Sequence, residues 1–121
     1  MKIVVFIIVI LAFPLVTTAD QFGDWTYSSN GTNVSITGFT GPGGAITITN
    51  TIASLPVTDI GTRAFQNCAG LTDVIIPSNI ITIGNLAFLS CVNLTSVTIP
   101  NSVITIESGA FFSCSRLEKL M

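Results

Sequence analysis

A spacing of 23 residues governs this chain. Displaced by that interval, apolar positions fall on one another: Phe65, Phe88 and Phe111; Ala64, Ala87 and Ala110; Cys68, Cys91 and Cys114. Leu71, Leu94 and Leu117 coincide as well, as do Ile60, Ile83 and Ile106, and then Val74, Val97 and Leu120, with Pro77 and Pro100 as a further column. A short fixed period marks a solenoid, in which each repeat forms one coil that buries its apolar face only against its neighbours.

Within one coil, Val97 and Ile99 alternate with Ser96 and Thr98, the period of a half-buried strand. Coils running in one direction stack such strands into a parallel sheet with ~4.8 Å between rungs. Pro77 and Pro100 lack an N–H and end the ladder at a fixed place. A second extended piece follows at Val103 to Ile106. Thr62, Asn85 and Ser108 are residues that cap helices, which predicts one or two helical turns carrying Ala110, Phe111 and Cys114 inward. Gly70 and Asn93 suit the left-handed residue that ends such a turn, with Arg116 at that place in the last copy.

The run Leu94, Thr95, Val97, Ile99, Pro100, Val103, Ile106, Ala110, Phe111 and Cys114, repeated in tandem over about residues 46 to 121, resembles a BspA-type leucine-rich repeat. The resemblance implies an α/β leucine-rich repeat solenoid on a secreted or cell-surface protein, with a role in adhesion and protein binding. A repeat scaffold does not itself name its partner.

Residues 1–19 carry Lys2, an apolar run from Ile3 to Val16, and small residues at Thr17 and Ala19, the pattern of a signal peptide cleaved before Asp20. Fourteen apolar residues are short for a membrane-spanning helix, which needs about 20. The membrane therefore enters only through export. Residues 20–47 are expected as an antiparallel β cap: Trp25 and Tyr27, Val34 and Ile36, then Ile46 and Ile48 alternate with polar residues, and Asn30-Gly31 and Gly41 to Gly44 supply turns. Residues 48–121 are expected to form three coils, the last uncapped. The first carries five extra residues within Thr51 to Pro56, expected as a loop.

The chain contains no His, which removes the commonest general base and most zinc sites. Its six acids do not pair in a motif, and no catalytic, cofactor or metal site is expected. Four basic residues, none clustered, give no stripe for phosphates, so nucleic acid is excluded as a partner class. Three cysteines one coil apart are expected as a buried column of inert, reduced thiols. Asn30, Asn33 and Asn93 begin N-glycosylation sequons, which matter only in a host that reads them.

With Val74 and Val97 inward, two outward columns are expected on the sheet: Asp73, Ser96 and Lys119, and beside them Ile75, Thr98 and Met121. These are the candidate contact residues for a protein or cell-surface ligand. A competing apolar stripe is Thr58, Ile81 and Ile104. Two other readings stand beside the binding module: a self-assembling repeat that associates through its last coil, and a piece of a longer surface repeat protein.

Overall fold

The computed structural model describes residues 20–121; the signal peptide expected at residues 1–19 lies outside the described residues. The chain winds into a β-solenoid of about four turns. Each turn contributes one rung to each of two parallel sheets. One sheet is built from β4 (Gly44–Thr47), β7 (Leu71–Ile75), β9 (Ser96–Thr98) and β11 (Lys119–Leu120). The other stacks β3 (Val34–Phe39), β6 (Leu55–Ile60), β8 (Thr82–Ile83) and β10 (Thr105–Ile106), and is extended beyond β3 by β2 (Trp25–Ser29) and β1 (Asp20–Phe22), both antiparallel.

The repeat columns become the core. Phe65, Phe88, Ile60, Ile83, Leu71, Leu94 and Val97 are fully buried, and Val74 nearly so. The 23-residue displacement is also the strand register, since Asp73, Val74 and Ile75 pair with Ser96, Val97 and Thr98.

The expected helical turns are not present: among the described residues there is no helix. The third wall of each coil is a run of consecutive turns instead, and its hydrogen bonds give the reason. The N–H groups of Ala64, Gln66 and Cys68 bond three residues back within the coil, while those of Arg63, Phe65 and Asn67 donate to the Asn85, Ala87 and Leu89 carbonyls of the next. The following coil repeats this, with Leu86, Phe88 and Ser90 donating to Ser108, Ala110 and Phe112. A helix would spend these N–H groups internally and leave the coils unstitched. Alternation requires left-handed residues, found at Arg63, Leu86 and Gly109 and again at Asn67, Ser90 and Ser113. The left-handed positions are therefore not Gly70, Asn93 and Arg116. Gly70 is needed for closeness, because a Cβ there would run into the Pro42 carbonyl oxygen, and Asn93 donates its side-chain amide to the Ala69 carbonyl at 2.7 Å.

Two further differences lie at the start of the solenoid. β4, expected in the antiparallel unit, pairs in parallel with β7, so Ile46 stands on Val74 in the core column. Ordering there follows the coil because Ile46 covers Val74, which a hairpin with β3 would leave exposed. The extra residues near Thr51 are no loose loop. β5 (Thr51–Ile52) forms a tight hairpin with β6, turning through Ala53 and Ser54 with φ of 52° and 66°, and it buries Ile52.

A candidate partner-binding face

The outer face of the four-stranded sheet carries the two expected columns. Asp73 stands beside Ser96 and Ser96 beside Lys119; Ile75 stands beside Thr98. Ile75 is about half exposed, and Thr98, Lys119 and Met121 are exposed. These side chains sit on a backbone fixed by its inward neighbours Val74 and Val97, so presenting them to a partner orders little that is not already ordered.

The columns differ in chemistry. The Ser96 hydroxyl donates to Asp73 Oδ1 at 2.6 Å. That hydrogen bond, helped by Thr72 and Thr95, holds the Asp73 carboxyl below the usual carboxylate range. Lys119 extends the same row, so a negative and a positive end flank a hydroxyl. The second row is apolar at Ile75 and Met121 and polar at Thr98. The group on the Ser96 hydroxyl is the Asp73 carboxylate, which its lowered proton affinity makes a weak base. Among the described residues, no three Cys, Asp or Glu side chains converge as metal ligands. Such a face can bind by complementary shape and charge.

The competing stripe is present at two of its three positions. The Ile81 and Ile104 amides donate to the Thr58 and Ile81 carbonyls, which stacks the three residues. Ile81 is 43 % and Ile104 82 % exposed, but Thr58 is buried, its hydroxyl donating to Asp59 Oδ2 at 2.7 Å. Trp25 and Tyr27 are half-buried against the core, with Trp25 ring centroids 5.1 Å from Phe39 and 6.2 Å from Phe65.

Two surfaces were not foreseen. A shallow polar depression of about 210 Å³ is lined by Ser28, Asn30, Asn33, Ser35 and Asp59. It begins an outward row, Ser28, Ser35, Asp59, Thr82 and Thr105, set by cross-strand pairing. The alternation around Ile36 and Ile60 held the signal for that row. The turn wall exposes Phe112 and Val92 at positions next to the inward Phe111 and Cys91.

Two parallel sheets joined by stitched turns and proline corners define a leucine-rich repeat solenoid. The chain belongs to the BspA-type leucine-rich repeat family: the pattern of the BspA type leucine rich repeat region, in six copies, matches residues 44–121. Among solved structures, a T. pallidum leucine rich repeat protein superposes with a TM-score of 0.79 at 28% identity, over 86% of this chain and 50% of that one. A leucine rich cell surface protein from Faecalibacterium prausnitzii gives 0.75 at 34% identity, over 86% and 30%. A leucine-rich repeat protein from Bacteroides ovatus gives 0.73 at 29%, over 84% and 29%. The chain thus spans half or less of these three proteins. No curated protein sequence matches it.

Proposed function

We propose that the chain is a secreted or cell-surface binding module without catalytic activity, and that it holds a protein partner on the outer face of the four-stranded sheet. The observation carrying this reading is the pair of columns, Asp73–Ser96–Lys119 and Ile75–Thr98, held in register by parallel pairing. Export rests on the signal-like residues 1–19, and surface location is supported by the relative described as a cell surface protein. The test is binding of the labelled protein to intact cells, before and after protease treatment of their surface, comparing Thr98→Arg with Ile104→Arg. Protease-sensitive binding lost for Thr98→Arg alone is the expected result. Loss for Ile104→Arg alone moves the site to the Ile81–Ile104 stripe.

A second reading is association through the last coil. Ile106 and Leu120 are 48 % and 54 % exposed, whereas their column partners Ile83 and Val97 are fully buried. Sedimentation at rising concentration tests it: a monomer throughout ends this reading.

A further inference from the structure

The antiparallel strands β1 and β2 close only one of the two sheets. They add two rungs beyond β3, while the other sheet stops at β4, with no strand of the described residues on its far side. The solenoid thus begins with a projection beside a step, each about 10 Å high, two rung spacings. The core records the missing rungs. Val74 and Val97 are 1% and 0% exposed, but Ile46, on top of the same column, is only partly buried. On the projection, Phe22 pairs with Trp25 and so shares its inward side, yet Phe22 is 50% exposed. Trp25 and Tyr27 are only half-buried. Two backbone edges are free, β4 on the floor of the step and β1 at the crest of the projection. The Ile48 amide donates down the stack to the Ile75 carbonyl at 3.0 Å, so alternation turns the Thr47 amide onto the step.

We infer that this end is the contact of a two-fold dimer. A second copy, rotated by half a turn about an axis across the solenoid, sets its β1 and β2 into the step and receives the first copy's β1 and β2 in its own. The same two strands define the projection and the step, so their heights agree. The rotation reverses the sense of winding, which lays β1 of one copy antiparallel to β4 of the other. Each sheet then runs unbroken from one copy into the next, and the contact closes on itself. The free edges and Phe22 favour a second copy over a single added strand. One strand on β4 fills half of the step and leaves the β1 edge unpaired. The dimer pairs both edges in both copies and encloses Phe22, Trp25 and Tyr27 with Ile46. Asp20 shares that side but begins the strand, at the margin of the contact. This end is opposite the last coil, and the contact leaves the outer columns on β7, β9 and β11 uncovered. A dimer therefore offers them twice, which raises avidity for a surface carrying many copies of a partner.

Sedimentation of the purified exported protein is expected to show a dimer that dissociates on dilution. Phe22→Asp puts a charge among the enclosed side chains and should weaken dimerisation about thirtyfold or more. Leu120→Asp, at the opposite end, should leave it unchanged. Thr47→Pro removes only the N–H that points onto the step, a change tolerated at a sheet edge. It should weaken the dimer too, which keeps the test open if the Phe22 variant does not fold. In the dimer the Thr47 amide is expected to exchange about tenfold or more slowly than in the dilute monomer. A monomer at every concentration overturns the inference, as does a dimer broken by Leu120→Asp but not by Phe22→Asp. So do assemblies that grow beyond two copies, and a Thr47 amide equally protected in monomer and dimer, which would mean that the chain's own residues cover the step.

Discussion

Phe65 and Phe88 stack nearly face to face, with ring centroids 4.8 Å apart and planes inclined by 8°. The separation is one rung of the sheet, so the ring stack and the hydrogen-bond ladder share a period. Phe111 continues the stack 5.3 Å further on, and Trp25 and Phe39 close its other end.

Truncation should therefore cost most in the middle of the stack. Phe88→Ala is expected to destabilise by about 3–5 kcal/mol, the usual range for a buried aromatic. Phe111→Ala should cost less, because Phe111 is only partly buried. Urea unfolding followed through Trp25, the single tryptophan, measures both.

The thiols should label in a fixed order. Cys91 and Cys114 donate S–H to the Phe65 and Phe88 carbonyls of the preceding coil, each at 3.0 Å. Burial, with the neighbouring thiols of Cys114 and Cys68, pushes Cys91 up to about 12. Cys68, less buried, should react first with a thiol reagent and Cys91 last, as peptide mapping will show. The native state favours the protonated thiol. Its contribution to stability is complete below the ordinary thiol value of about 8.5 and is lost as pH rises toward 12.

The hairpin at Ala53-Ser54 invites stabilisation. Both residues have positive φ, at 52° and 66°, and both are exposed. Asn-Gly is the pair preferred in such a turn, so Ala53→Asn with Ser54→Gly should stabilise by about 1 kcal/mol and raise the melting temperature by about 4–8 °C.

On the outer face, Ser96→Ala should move the Asp73 carboxyl up toward its ordinary value, read by NMR titration. Ser96 is the leading cause of its depression, ahead of Thr72 and Thr95. The sign fixes the pH window: this interaction favours folding above the unfolded value of about 3.9 and is lost as pH falls below it. Unchanged Asp73 titration in Ser96→Ala would show that the 2.6 Å bond does not hold the carboxylate in solution.

The amino-acid sequence by itself determined the period, the inward columns and the outward neighbours. A 23-residue repeat stacked in parallel leaves Ser96 no place except beside Asp73 and Lys119, whatever connects the strands. The connection was decided only in the tertiary structure. Thr62, Asn85 and Ser108 are compatible with a helix start, but the Phe65 amide finds the Ala87 carbonyl of the next coil at 2.7 Å. No local signal reveals a partner 22 residues away, and once it is there a stitched turn satisfies more backbone than an isolated helical turn. The same holds for β4. Its alternation fits a hairpin or a solenoid rung equally well, and the burial of Val74 beneath Ile46 makes the choice.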